Sequence, residues 1–351
     1  MIKGLFFAAS TLLFPCLAFG GNPSTDLSVQ VVTPPPSGTT PPVPTGAAAA
    51  GFTTLALNTD WEHQQFPLNW LGACPNGSIP VNADNGQGER PLVPYGHDDT
   101  GHTWWANLWW SYGNTGCTYV IVSDPVFGNT ALDLAYTNRN NSRDGIGNVI
   151  QTASADYNRS TGVGQVNSFP IGSYYEITYR ITPAGDARNY IVLNTWGPDG
   201  IANGNCNCAM EWDVMETDGS DLGKYDSAFH NWGAGGGGWV LAPWSTLAPG
   251  TNFDPNNYNT IGMRVTYDGA HMIGCTYVNN VFQQCSALQS VNATEAAPSG
   301  RNFLVLQKAC DTWNGSCTQD TQHGYIKSVR VWSCASWQTT QCTGQVLNSA
   351  P

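Results

Sequence analysis

The chain has 351 residues, with 13 Lys and Arg against 25 Asp and Glu and a formal net charge of −12. That balance excludes a protein that grips nucleic-acid backbones, which needs clustered cations to displace counterions. Hydrophobic residues at 41% suffice for a large core, while charged residues at 11%, 39 Gly and 22 Pro point to a turn-rich all-β protein rather than a helical or disordered one.

The chain opens on an export signal. Lys3 supplies the positive start, residues 5–17 an apolar run, and Ala18, Phe19 and Gly20 a small-x-small cleavage site. Residues 1–20 are therefore expected to be removed, with cleavage after Gly20. Nothing later approaches the roughly 18–20 uninterrupted apolar residues that span a bilayer, so a secreted, extracellular chain without membrane attachment is expected. Loss of Cys16 with the signal leaves an even set of cysteines, which in an exported chain favours disulfides. Cys275 and Cys285 flank a hairpin turn expected at 277–281, and Cys310 with Cys317 and Cys334 with Cys342 are candidates for short loops; spacing alone does not fix the pairing. Cys206 and Cys208 lack the spacing of zinc ligands. Residues 21–50 are rich in Pro, Thr, Ser, Gly and Ala, the composition of a linker, extended where Pro-rich and mobile elsewhere. One domain, 51–345, follows, with 346–351 as a tail.

Strand-like segments dominate that domain: 117–122, 173–181, 189–194, 261–267, 302–307 and 325–332. Each is rich in β-branched and aromatic residues and bounded by Gly, Pro, Asn or Asp. In 325–331, simple alternation puts Tyr325, Lys327, Val329 and Val331 on one face and Ile326, Ser328 and Arg330 on the other. No amphipathic helix of twelve residues stands out, so the expected fold is all-β, a two-sheet β-sandwich.

Chemistry concentrates in residues 210–216, where Glu211, Asp213 and Glu216 put three carboxylates within six residues. In a regular strand Glu211, Asp213 and Met215 share a face and Glu216 points away. A β-bulge at Val214 and Met215 would return Glu216 to the face of the other two. The glutamate Cα atoms would then lie about 13 Å apart, and inward-leaning side chains would leave about 5–6 Å between carboxyls, the separation of a retaining glycosidase. A solvated acidic edge is the alternative. Like charges this close repel unless a proton is shared, and Trp212, Val214 and Met215 mark a buried central strand. The spacing does not match a calcium-binding loop, and neither metal nor cofactor is expected.

Residues 211–216 resemble the ExDxxE signature of glycoside hydrolase family 16, in the bulged form of laminarinase-like endo-β-1,3-glucanases, agarases and carrageenases. Residues 228–232 resemble the next strand of that family, which carries a His. Residues 257–265 and 325–332 resemble two further family strands, so the likeness covers 190 to 332. It implies a concanavalin-like β-jelly roll with a substrate cleft across its concave sheet. It also implies Glu211 as nucleophile, Glu216 as general acid/base, and Asp213 as the group that hydrogen-bonds the nucleophile and tunes the pair. Met210 and Trp212 depart from the Gly and Ile that members often carry beside the first Glu, which places the chain on a distant branch.

Fourteen Trp suit a protein that stacks sugar rings. Trp196 lies where family members have a subsite Trp, and His230 and Trp232 would line the same cleft; all three are expected to bind substrate, His230 through hydrogen bonding. Trp104, Trp105, Trp109, Trp110, Trp239 and Trp244 are left open between cleft and core. The expected protein is a secreted, monomeric, endo-acting retaining glycosidase whose partner is a β-glucan, foremost β-1,3-glucan. A non-catalytic carbohydrate-binding sandwich and a transglycosylase using the same site are the alternatives. Residues 97–102, with His97, Asp98, Asp99 and His102, read as a polar loop at the cleft edge.

Overall fold

A computed structural model describes residues 40–63, 104–106, 119–136, 145–152, 168–170, 172–182, 189–196, 210–217, 226–231, 237–240, 247–267, 272–288, 301–310 and 322–334. They build two antiparallel sheets. The first runs, in spatial order, β14 (Val281–Leu288), β13 (Met272–Val278), β12 (Asn259–Tyr267), β7 (Ser173–Thr182), β16 (Gln322–Ser333), β4 (Thr130–Tyr136) and β3 (Tyr119–Ser123), with β1 (Thr54–Asp60) also paired to β16. The second runs β11 (Gly237–Val240), β10 (Asp226–Asn231), β9 (Met210–Thr217), β8 (Asn189–Trp196), β15 (Arg301–Cys310), β5 (Gly145–Gln151) and β2 (Trp105–Ala106), with β6 (Phe169–Pro170) on β15. Consecutive β7 and β8 lie in different sheets, and β15 and β16 do likewise, so the chain crosses repeatedly between layers. This is the two-sheet sandwich of jelly-roll type that the strand pattern led us to expect.

The layers meet through alternate side chains. Ile177 and Tyr179 of β7 and Ile326, Val329 and Val331 of β16 face Leu193 of β8, Trp212 and Met215 of β9 and Leu306 of β15 across one buried core. Each such side chain contributes about 1.5–3 kcal/mol by leaving water. Trp61 and Trp104 belong to this core, their ring centroids 6.0 Å apart. Trp104 Nε1 donates to Thr59 Oγ1 at 2.8 Å, which settles its buried polar atom.

Two expectations need correction. Alternation along β16 is not continuous: Ile326 pairs with Tyr179 and Ser328 with Thr178, so Lys327 is an extra residue. The bulge puts Ile326, Val329 and Val331 together on the core side, whereas simple alternation separates Ile326 from the valines. Lys327 instead pairs with Glu62 at 2.8 Å, and its carbonyl accepts from the Trp61 and Glu62 amides. Residues 45–50, placed in the linker by composition, pack against the outer face of the first sheet. The helical turn α1 (Thr45–Ala48) buries Ala47 against a cluster containing Phe52, Tyr174, Tyr277 and Trp332. Gly46 sits where a Cβ would come within 2.5 Å of Tyr174 and 2.6 Å of Tyr277, so only glycine lets the turn approach.

The hairpin at 277–281 is present. Asn279 and Asn280 both have positive φ, 48° and 65°, as a type I′ turn requires. Cys275 and Cys285 stand opposite each other across β13 and β14 and form a disulfide.

The outer face of the first sheet is closed by ion pairs. Arg180 engages both carboxylate oxygens of Asp124, at 2.5 and 2.6 Å, and the Tyr258 hydroxyl donates to the same carboxylate at 2.6 Å. Burial pushes the Asp124 carboxyl up, but the hydrogen bonds from Arg180, Tyr258 and the Val126 and Phe127 amides prevail and bring it down to about 2. Arg330 bridges Asp60 at 2.9 Å and Asn58 at 2.8 Å.

Candidate active site

Strand β9 is flanked by β8 and β10, so both of its edges are paired and its side chains are sharply sorted between faces. Trp212, Val214 and Met215 are fully buried in the core. Two consecutive core residues are possible only if the strand is bulged, and the pairing places the bulge there. On the β8 side Met215 pairs with Leu193 and Asp213 with Asn194, leaving Val214 without a counterpart. On the β10 side Asp226 pairs with Glu216 and Ala228 with Asp213, so Ser227 faces both Val214 and Met215. The Ser227 hydroxyl donates to the Val214 carbonyl at 2.7 Å, supplying a partner to a backbone group that the irregularity takes out of the ladder.

The consequence is chemical. Glu211, Asp213 and Glu216 share the face turned away from the core, as the bulge at Val214 and Met215 was expected to arrange. Residues directly opposite in antiparallel strands share a face, so Asn194 joins Asp213 there and Trp196 and His230 join Glu211 from either side. Asn194 Nδ2 donates to Glu211 Oε1 at 2.7 Å, and His230 Nε2 lies 3.0 Å from Asp213 Oδ2. Glu211 is 7% exposed and Asp213 2%, whereas Glu216 is more open.

These surroundings divide the protons. Burial, and then the charge of Glu216, push the Asp213 carboxyl well above the usual carboxylate range; hydrogen bonds with Glu211 and Asn194 pull the other way without offsetting them. Two carboxyls in hydrogen-bond contact hold one proton between them most easily. Burial and the Glu216 charge favour that proton on Asp213, and Asn194 Nδ2 donates to Glu211.

Asp213, Glu216 and His230 each offer an atom within 4.8 Å of the others, a grouping that a cation would also accept. Trp196 is 8% exposed and stands beside Glu211 at the end of β8. Trp232, the third expected binding residue, lies outside the described residues, as do Trp109, Trp110, Trp244 and residues 97–102. Trp104 belongs to the core and not to this face.

Two contributors escaped the sequence reading. Asn194 interrupts the apolar run of β8 at the position sharing a face with Trp196, a break in alternation that marks a polar task. Ser227 carries no signal until the bulge is located opposite it.

A two-layer sandwich with a carboxylate triad on the outer face of one sheet is the class of protein that fold and site define. No family profile and no curated protein matches the sequence. Among solved structures, the chain is similar to the laminarinase catalytic domain of Thermotoga maritima, at 17% identity over 59% of this chain and 78% of that one, with a TM-score of 0.41. It is also similar to the endo-β-1,3-glucanase of Pyrococcus furiosus, at 17% identity over 61% and 71% with a TM-score of 0.39. A GlcNAcα1-4Gal-releasing endo-β-galactosidase from Clostridium perfringens matches at 13% identity over 81% of this chain and 64% of that one, with a TM-score of 0.48.

Proposed function

We propose that the protein is a secreted, endo-acting retaining glycoside hydrolase of the family 16 type that cleaves β-glucan, foremost β-1,3-glucan, as a monomer. The single observation that supports this most is the bulge of β9, which gathers Glu211, Asp213 and Glu216 on one face in unequal surroundings. A lectin needs no such grouping, whereas a retaining glycosidase needs two carboxyls on one face, one to attack and one to exchange a proton with the leaving oxygen.

In this reading Glu211 attacks the anomeric carbon while Glu216 gives its proton to the departing glycosidic oxygen. A glycosyl ester on Glu211 results. Glu216, now ionised, takes a proton from water as the water attacks the anomeric carbon, which frees Glu211 and restores the acid. Asp213, held neutral, donates to Glu211 and stabilises its charge when it is regenerated. Trp196 offers an indole face to a pyranose, with His230 and Trp232 hydrogen-bonding or stacking along the same path. A net charge of −12 suits a neutral glucan better than a sulfated polymer. Residues 1–20 direct export in this account, and 51–345 contain the catalytic domain.

The test is product release from laminarin, mixed-linkage glucan, xyloglucan, agarose and carrageenan by wild type, Glu211→Gln and Glu216→Gln. Oligosaccharides from laminarin, absent with both variants, are expected. Binding of a glycan without cleavage by wild type would overturn the reading in favour of a carbohydrate-binding module.

A further inference from the structure

We infer that Asn194 is a positioning residue of this site, whose side-chain amide holds the Glu211 carboxylate in a fixed rotamer and in its ionised form. The inference rests on the reading of Glu211 as nucleophile.

Asn194 is 2% exposed and lies on β8, where the register sets it opposite Asp213 and two residues from Trp196. Its Nδ2 donates to Glu211 Oε1 at 2.7 Å, a charge-assisted hydrogen bond that reaches across from a neighbouring strand. An amide does not titrate, so this donor is present at every pH at which the protein is folded. The groups facing Glu211 are otherwise acidic or basic: Asp213 and Glu216 on its own strand, and His230 in register on β10. From β8 the same face receives Val192, Asn194 and Trp196, none of them titratable. Burial and the Glu216 charge disfavour charge on Glu211, and the Asn194 amide acts against them. It also restrains the long Glu side chain, whose rotamer freedom would otherwise dilute the attacking geometry.

Asn194→Ala removes the donor. Asn194→Asp keeps the shape but replaces the donor with an acceptor. Both are compared with wild type and Glu211→Gln for hydrolysis of the glycan that wild type cleaves, across pH, with thermal unfolding in parallel. In Asn194→Ala, kcat should fall about ten- to a hundredfold with KM within about twofold, the loss of a hydrogen bond to a charged group. The acid limb of kcat/KM should move up by about one pH unit, because Glu211 now ionises later. In Asn194→Asp both changes should be larger. A residue that only fills space would leave the acid limb in place. An unmoved limb with kcat within twofold in both variants, while Glu211→Gln is inactive, overturns the role of Asn194 and leaves the glycosidase reading standing. If wild type cleaves no glycan, or Glu211→Gln is as active as wild type, the nucleophile assignment itself falls, and the inference with it. Should Asn194→Ala fail to fold, the near-isosteric Asn194→Asp decides by the same limb.

Discussion

At the scale of single residues, the three carboxylates of β9 are distinguished by what surrounds them. Glu216 is the most open, and with the proposed role of general acid its replacement in Glu216→Gln should lower hydrolysis of a polysaccharide by about 10²–10⁴-fold. It should spare much of the first step on an aryl glycoside whose leaving group needs no proton. A comparable loss on both substrates, measured by burst kinetics, would deny Glu216 the acid role. Asp213 behaves differently because burial and the Glu216 charge raise its carboxyl in the folded state. A raised carboxyl contributes stability that is complete below the unfolded value of about 4 and is lost as pH rises through the folded value. Asp213→Asn removes that dependence. Its unfolding midpoint should therefore gain on that of wild type as pH increases from 4 towards neutrality, and a difference that stays constant with pH would contradict a neutral, buried Asp213.

At the scale of elements, the working part is the bulge rather than the strand. Deleting Val214 would remove the extra residue, and regular alternation would then keep Glu216 on the face of Glu211 and Asp213, with Met215 alone turned to the core between them. A folded variant that keeps measurable hydrolysis is expected, whereas a folded but inactive deletion variant would show that the shared face is not enough and that the spacing set by the bulge is needed. This bulge was legible in the sequence because two demands conflict: the proposed chemistry puts Glu211 and Glu216 on one face, yet they lie five positions apart. The bulge in β16 was not legible. Lys327 sits between Ile326 and Ser328 in a segment that reads equally well as simple alternation, and only the pairing of Lys327 with Glu62 and the docking of β1 reveal the extra residue. Strands such as β4 and β5 escaped for a related reason. Their short runs, with Asp133 in one and four polar or Gly positions in the other, gain their strand character from neighbours rather than from composition. Asn194 was invisible because its partner lies across a strand pair whose register the sequence does not state.

At the scale of the whole molecule, the two sheets have different tasks. The outer face of the first is sealed by α1, by aromatic side chains and by ion pairs, and the outer face of the second bears the carboxylates. The pair between Arg180 and Asp124 is the most enclosed of these ties, and its hydrogen bonds hold Asp124 down at about 2. A depressed carboxyl contributes stability that is present above its unfolded value and lost as pH falls through the folded one, so the protein should lose stability between about pH 4 and pH 2. Arg180→Met, which leaves Asp124 without its guanidinium, should destabilise by about 3 kcal/mol at neutral pH and flatten that acid transition. An unchanged acid transition in urea titrations would assign it to other carboxylates. The central claim, that Glu211 is the nucleophile of a retaining glycosidase, is tested most directly by trapping. With a 2-deoxy-2-fluoro glucosyl donor, the account predicts an added mass of one fluoroglucosyl unit on the peptide containing Glu211. Hydrolysis of glucan with inverted products and no covalent adduct would contradict it.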